Sequence, residues 1–198
     1  DGVLLGGDSA NIVQGNWIGT DRTGTLDLGN SGTGVTILNT PNNVIGGTVA
    51  GAANVVAFNH EHGVSIFYPG NAVLTNAIYS NGGLGIELGG FPGVTPNDPG
   101  DSDIGANQQQ NFPILSYSTI KRGAATIRGT LDSTPRTAFR IEFFANGALD
   151  PTGHGEGQRF LGAVQVQTSK RGRASISARF AASLNSTQFV TATATDPS

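Results

Sequence analysis

The sequence has 198 residues and a net charge of −3, with 30 glycines and only 13% charged residues. Glycine at about twice its ordinary frequency indicates many tight turns. No run of 18 apolar residues occurs, so we expect no membrane insertion, and the lack of cysteine excludes disulfides and cysteine-bound metals. Because no basic stripe is interleaved with aromatic residues, we expect no nucleic-acid partner.

Charge is unevenly distributed along the chain. Residues 1–111 contain nine acidic residues against Arg22 alone, a net charge of −8, whereas residues 112–198 contain ten basic and five acidic residues, a net charge of +5. Asparagine divides in the same way, with 14 residues before position 112 and two after it. These changes in charge and asparagine content predict two domains. The first comprises residues 1–107 and ends in an acidic linker loop, and the second comprises residues 108–198.

Short apolar segments recur in the first part. Four of them begin with glycine, at Gly2, Gly34, Gly63 and Gly85, and their starts are 32, 29 and 22 residues apart. The two longer units match the 22-residue unit once insertions after Asp21 and Gly47 are set aside. Insertions confined to fixed loops are typical of stacked repeats.

Each unit contains three short alternating segments, separated by glycine and asparagine. Three strands per turn of about 22 residues indicate a parallel β-helix, whose coils pair with the coils above and below. We predict about three coils, with Val35, Val64 and Ile86 in one inward column. The residues predicted to face outward from the same strands are Thr36, Ser65 and Glu87.

Asparagines recur at the predicted corners between these strands. Asparagine tolerates a left-handed backbone, and its amide can pair with equivalent amides in adjacent coils. We therefore predict two stacks of side chains. Their members are Asn16, Asn54 and Asn76 in one and Asn11, Asn42 and Asn71 in the other.

These segments resemble the repeats of large bacterial secreted or cell-surface proteins. In the first part, the resemblance rests on two motifs, Asn16-Trp17-Ile18-Gly19-Thr20-Asp21 and Asn43-Val44-Ile45-Gly46-Gly47-Thr48. Later in the chain it rests on the loop 93–101 and on the motifs Gln110-Asn111-Phe112-Pro113, Arg140-Ile141-Glu142-Phe143-Phe144 and Gly155-Glu156-Gly157. In that family a right-handed, pectate-lyase-like parallel β-helix precedes an immunoglobulin-like domain. The resemblance implies this architecture and an extracellular or bacterial cell-surface location, but no particular activity.

From Phe112 onward the pattern changes to longer alternating segments separated by turn residues. The predicted strands are 114–117, 124–131, 138–144, 159–166, 174–180 and 189–195. Such a series of short strands is typical of an antiparallel β-sandwich, which the resemblance narrows to an immunoglobulin-like one. The predicted fold class is therefore all-β, with a parallel β-helix followed by this sandwich.

The segment 97–103 concentrates oxygen-bearing side chains around a glycine turn. Asn97, Asp98, Asp101 and Asp103 are candidate metal ligands, since Ca²⁺ takes six to eight oxygen ligands. The segment lacks the spacing and distal glutamate of an EF-hand loop. Two interpretations stay open, a site with calcium as cofactor and an acidic, solvated linker.

We assign no catalytic residue. A polysaccharide lyase needs an Arg or Lys base, and a glycoside hydrolase needs two carboxylates about 5–10 Å apart. The first part offers only Arg22 as a cation and only Glu87 as an acid on a predicted strand. Glu87 and Trp17, whose indole should point outward, are candidate glycan-binding residues. Alternatively, the insertion carrying Leu26 and Leu28 covers Trp17.

The first predicted strand follows Asp1 directly, so the backbone groups of its coil are expected to be unpaired on one side. We expect other copies or further coils of the same protein to pair there. The predicted function is a non-catalytic extracellular structural or adhesive module of a larger bacterial surface or filament-forming protein, associating end to end. The alternative is a carbohydrate-active or glycan-binding β-helix protein with a surface glycan as partner.

Overall fold

A computed structural model describes residues 1–89, 93–121, 123–148, 152–181, 184 and 187–196, and these residues form an all-β protein. Strands in the first part are parallel and strands in the last part are antiparallel. Across these ranges, no helix has the length and apolar character needed to cross a membrane.

Ten short strands form three parallel sheets in residues 1–89, which we call the parallel region. The first sheet contains β1 (Val3–Leu5), β4 (Val35–Ile37), β7 (Val64–Ile66) and β10 (Ile86–Leu88). The second contains β2 (Ile12–Val13), β5 (Val44–Gly46) and β8 (Ala72–Leu74). The third contains β3 (Trp17–Ile18), β6 (Val55–Ala57) and β9 (Ala77–Tyr79). The chain visits the three sheets in the same order three times and then returns to the first. We call each passage through the sheets a coil.

The register of the first sheet confirms the predicted inward column. Val35 pairs with Val64, and Val64 pairs with Ile86, so the three side chains lie one above another. Side chains from all three sheets meet in one core. Its buried members include Val13, Ile18, Val35, Ile37, Ile45, Val56, Val64, Ile66 and Ile78.

The alternate row of the first sheet departs from the prediction. Thr36, Ser65 and Glu87 pair in register, but they are only 6%, 2% and 7% exposed, so this row is not an open surface. Strands in a sheet lie about 4.8 Å apart, so polar side chains of one row cover one another. Glu87 therefore alternates with the inward residues as predicted, but it is buried and not available on an outer surface.

Three ladders of asparagine side chains run through the corners. In each, the Oδ1 atom of one asparagine accepts the backbone N–H and a side-chain N–H of the asparagine one coil earlier, over 2.7–3.3 Å. The ladders are Asn11–Asn43–Asn71, Asn16–Asn54–Asn76 and Asn30–Asn59–Asn81.

Two details of the ladders correct the prediction. Asn43, not Asn42, is the second member of its ladder, and the ladder of Asn30 was not predicted. The left-handed backbone lies on the residue before the ladder asparagine. Five non-glycine residues in such positions have φ between 57° and 62°, namely Ala10, Asn42, Phe58, Thr75 and Ser80.

Six longer strands form two antiparallel sheets in residues 114–196, which we call the antiparallel region. One sheet has the order β11 (Ile114–Lys121), β12 (Ala124–Asp132), β15 (Arg173–Ala181). The other has the order β14 (Arg159–Gln167), β13 (Ala138–Asn146), β16 (Phe189–Thr195). A second core includes Ile127, Phe139, Ile141, Phe143 and Ile176, from strands of both sheets.

We expect Asn43→Ala to lower the free energy of unfolding by about 3 kcal/mol, because removal of a buried amide leaves several partners unpaired. Asn43 is fully buried and bonds to Asn11, Thr40 and Asn71. The matched control is Asn39→Ala, at an exposed position of the same coil, which should change stability by no more than about 0.5 kcal/mol. Urea unfolding measures both, and equal effects would contradict a structural role for the ladder.

Candidate functional site

The last coil of the parallel region meets residues from the linker and from the antiparallel region. The first contact continues the ladder that ends at Asn71. The backbone N–H of Asn71 donates to Oδ1 of Asn107 over 2.9 Å, and Nδ2 of Asn107 donates back to the carbonyl of Asn71 over 2.6 Å. Asn107 therefore occupies the position that another coil's asparagine would take.

Glu156 ends a second ladder in the same way. Its Oε1 atom accepts the backbone N–H of Asn81 over 3.1 Å and the side-chain Nδ2 of Asn81 over 2.8 Å. Next to it, Gly157 and Ile78 exchange two backbone hydrogen bonds of 2.9 Å, which adds a short antiparallel bridge to the third sheet. The hydroxyl of Thr191 donates to the carbonyl of Glu156, which ties this cap to β16.

Glu142 makes the third contact, beside the ladder that ends at Asn76. Its carboxylate is fully buried and accepts hydrogen bonds from the backbone N–H and the hydroxyl of Thr75, at 2.8 and 2.9 Å. Arg140 Nε lies 2.8 Å from the same carboxylate. Thr75 has φ 61°, which is unfavourable for a β-branched residue, so its two bonds to Glu142 hold a strained corner.

The sequence pattern predicts no functional role for Asn107, Glu142 or Glu156. The sequence could have predicted the ion pair of Arg140 and Glu142. Residues two apart on a strand face the same side, and two opposite charges placed in this way can form a pair. Nothing local distinguishes Glu156, whose partner Asn81 lies 75 residues earlier in the chain.

Three of the four predicted metal ligands lie together in the linker. One carboxylate oxygen from each of Asp98, Asp101 and Asp103 lies within 4.8 Å of the others. The Oδ1 atoms of Asp98 and Asp103 are buried and make no hydrogen bond within the described ranges. Buried carboxylate oxygens without a partner are rare in proteins, and they suit a cation better than an apolar neighbour.

Asn97 does not complete this cluster. Its Nδ2 donates to the carbonyl of Phe112 over 2.8 Å, and its Oδ1 accepts the N–H of Phe112 over 2.9 Å. The amide therefore closes the base of the linker loop, so Asn97 has a structural role in this arrangement.

Buried polar residues hold the cluster against the antiparallel region. Asn111 donates through Nδ2 to the carbonyls of Asp98 and Asp132, and its backbone N–H donates to Asp101. The hydroxyl of Ser133 donates to the second oxygen of Asp101. These bonds fix the linker to the turn after β12. They leave the buried Oδ1 atoms of Asp98 and Asp103 without a hydrogen bond from the described residues.

The carboxyl groups of the cluster differ in their protonation behaviour. Hydrogen bonds from Ser102 lower the pKa of Asp98. Burial raises the pKa of Asp101, against the opposing hydrogen bond from Ser133, and burial together with the charge of Asp98 raises the pKa of Asp103. Part of the cluster is therefore held in a setting that disfavours negative charge without a compensating cation.

The two predicted glycan-binding residues do not share a surface. Trp17 lies on β3 in the third sheet and is 51% exposed, whereas Glu87 lies on β10 in the first sheet and is buried. Burial raises the pKa of Glu87, against the effects of His62 and of a hydrogen bond from Ser65. A single groove containing both residues is therefore not formed.

The alternative prediction, that the insertion carrying Leu26 and Leu28 covers Trp17, is wrong. The Trp17 side chain is about half exposed, and Leu26 and Leu28 are themselves 58% and 62% exposed. The insertion is ordered by its own polar contacts. The Asp21 carboxylate accepts hydrogen bonds from Thr23 and from the backbone of Leu26, which lower its pKa to about 2. The hydroxyl of Tyr79 donates to the carbonyl of Gly24 over 2.6 Å.

Replacing Glu156 tests the capping role. We expect Glu156→Ala to remove the acceptor for two N–H groups of Asn81, to lower stability by about 1–3 kcal/mol and to speed exchange of the Asn81 amide hydrogen roughly tenfold or more. Glu156→Gln retains an oxygen at this position and should keep most of the protection.

Gln158→Ala is the control, because Gln158 is exposed and bonds to Gly147 outside the ladder. Hydrogen exchange followed by NMR measures all three variants. Unchanged protection of Asn81 in Glu156→Ala would rule out the cap.

Comparison of the sequence with protein-family models and with curated proteins finds no match to either. The coil contacts, the acidic cluster and the junction of the two regions are therefore the basis for a function.

Proposed function

We propose that this chain is a non-catalytic structural module of a larger extracellular or bacterial cell-surface assembly. In this proposal the parallel region is a right-handed parallel β-helix of three coils, and the antiparallel region is an immunoglobulin-like sandwich that terminates it. The cyclic order of the three sheets supports the β-helix, and two three-stranded antiparallel sheets around one core support the sandwich. The repeat resemblance supports the location.

The difference between the two ends of the coil stack carries the proposal. At one end, Asn107, Glu142 and Glu156 supply acceptors to the last coil. At the other end, β1, β2 and β3 have a strand neighbour on one side only. The Oδ1 atoms of Asn11, Asn16 and Asn30 accept no hydrogen bond within the described ranges, although the same atom accepts two in later coils.

We infer that another coil pairs with this open edge, from another copy of the chain or from elsewhere in the same protein. Its backbone and corner amides would donate to the Oδ1 atoms of Asn11, Asn16 and Asn30. Opposite net charges of −8 and +5 on residues 1–111 and 112–198 would favour end-to-end approach of two copies at low salt. Such association builds a stiff rod suited to adhesion or display.

A structural role agrees with the positions of the acidic residues. Glu87 is the acid on a parallel strand and is closed off from solvent, and Glu142 and Glu156 bind other parts of the chain. The carboxylates of Glu142 and Glu156 are engaged by Thr75, Arg140 and Asn81, which favours a structural role for them over proton transfer to a substrate.

Calcium is the proposed cofactor of the module. The unused oxygens of Asp98 and Asp103 and the nearby carboxylate of Asp101 would contribute to a coordination shell of hard oxygen ligands. A cation there would neutralise the repulsion among three carboxylates and stiffen the linker between the two regions.

Light scattering with a matched pair of variants tests the association. We expect the full chain to form dimers or larger species at low salt. These should dissociate in 0.5 M salt, because the Debye length falls to about 4 Å and the attraction between opposite charges is screened. Val3 donates its N–H to Gly34 in the second coil, so the N–H of Leu4 points to the open side. Leu4→Pro should therefore weaken association without removing a bond within the coil stack.

Leu4→Ala is the control, because it removes the exposed side chain and keeps the N–H. It should associate like the unmodified chain. A monomer at all concentrations and salt conditions, or equal association of the proline and alanine variants, would contradict pairing of two copies at this edge.

A second experiment tests the metal. We expect Ca²⁺ at about 100 times its dissociation constant to stabilise the chain by about 2.7 kcal/mol and to raise its melting temperature by about 5 °C or more. A chelator should reverse the shift, and Asp103→Asn should abolish it. Asp8→Asn, at an exposed site in the parallel region, should leave it unchanged. A melting temperature that responds to neither Ca²⁺ nor chelator would exclude the site.

A further inference from the structure

A cleft of about 850 Å³ separates the last coil from one face of the sheet β14-β13-β16. On the coil side it is lined by Val73, Ile86 and Leu88, which are only partly buried members of the parallel core. On the other side, Arg140 and Glu142 line it, from the face of β13 opposite to the buried Ile141. This volume lies within the usual range of ligand pockets, which often form between packed regions.

Polar groups with unused hydrogen-bonding capacity cluster on the second wall. Arg140 donates through Nε to Glu142, while its two Nη groups make no hydrogen bond within the described ranges. Gln165 and Thr195 pair with Arg140 on the two neighbouring strands, line the cleft and likewise have no side-chain bond there. Thr193 lies beside them, and its Oγ1 is buried and has no hydrogen-bond partner among the described residues.

The charges around the cleft limit the class of ligand. Among the described residues, four carboxylates line it, those of Asp101, Glu142, Glu156 and Asp196, against the guanidinium of Arg140 and the imidazole of His154. This excess of negative charge disfavours an anion. Asp101, Glu142 and Glu156 accept hydrogen bonds from Ser133, Thr75 and Asn81 respectively. The groups with unused hydrogen-bonding capacity described above are hydroxyl and amide groups and the Nη donors of Arg140.

We propose that this cleft binds a short neutral oligosaccharide. Sugar rings would place their apolar faces on Val73, Ile86 and Leu88, and their hydroxyls would bond to Arg140 Nη and the hydroxyl of Thr193. Carbohydrate ligands combine both kinds of contact, because each ring has C–H faces and a rim of hydroxyls. This inference adds a ligand to the module and does not depend on its end-to-end association or on calcium.

Saturation-transfer NMR on the full chain tests the ligand class. The probes are neutral trisaccharides of glucose, galactose, mannose, xylose and N-acetylglucosamine, with trigalacturonate as the anionic probe and spermidine as the cationic one. We expect at least one neutral trisaccharide to bind and neither charged probe to compete with it. Binding of a charged probe alone, or of none of the trisaccharides at millimolar concentration, overturns the proposal.

Two variants locate the binding. Thr193→Val removes a hydroxyl that has no hydrogen-bond partner in the described part of the chain, so the melting temperature should stay equal or rise while sugar affinity falls about fivefold. Arg140→Lys keeps a cation beside Glu142 but removes the Nη groups, and should weaken binding by at least as much. Gln167→Ala, at an exposed position of β14 outside the cleft, is the control and should bind normally. Unchanged affinity in both test variants overturns the proposal.

These outcomes are independent of the association experiment. The edge of β1 to β3 and the cleft lie at opposite ends of the coil stack, since the cleft borders β8 and β10. Loss of sugar binding with normal association, or the reverse, therefore separates the two proposals.

Discussion

Directional hydrogen bonding between coils is the constraint on which the rest of the structure depends. In the first two positions of every ladder, the asparagine donates its backbone N–H and a side-chain N–H to an oxygen that lies one coil further along the stack. The members of the middle coils, such as Asn43 and Asn54, are completely buried, so water cannot replace a missing acceptor. A stack built in this way needs an acceptor beyond its last coil, and the antiparallel region and linker provide it.

The direction of the ladders also determines what can serve as a cap. An ionised carboxylate only accepts hydrogen bonds, whereas an amide brings two further N–H groups that need acceptors of their own. Glu156 and Glu142 therefore fit the donor end without creating new unpaired groups. Asn107 can serve because its Nδ2 finds the carbonyl of Asn71. The opposite end presents oxygens, so a partner there must present N–H groups, and the two ends are not interchangeable.

The sequence predicted strands well and side-chain partners less well. Alternation of apolar residues located the inward column of Val35, Val64 and Ile86, because a period of two follows directly from strand geometry. The ladder register failed at Asn42 because two consecutive asparagines satisfy the same pattern, and only the left-handed backbone of Asn42 places Asn43 in the ladder. Asn30 was missed because an insertion separates it from its repeat.

Residues at the junction were harder to predict for a different reason. Thr75 and Glu142 are 67 residues apart, and such pairs depend on how two regions pack, which no local pattern records. The acidic cluster was visible because its members lie within seven residues of one another. The unused oxygens of Asp98 and Asp103 were not visible, since they depend on how the linker packs against Asn111 and Ser133, which bond to the carbonyl of Asp98 and to the carboxylate of Asp101.

In the proposed structural module, a stack of coils would be stiff along its length, so the junction would determine how force passes to the next region. Three kinds of contact cross it: the two acceptor carboxylates, the backbone bridge between Ile78 and Gly157, and the linker fixed by Asn111. The cleft lies among these contacts and is bordered by Glu142 and Glu156. A ligand in the cleft or a cation on the linker would therefore add contacts at this junction, and both would act on its stiffness without altering either core.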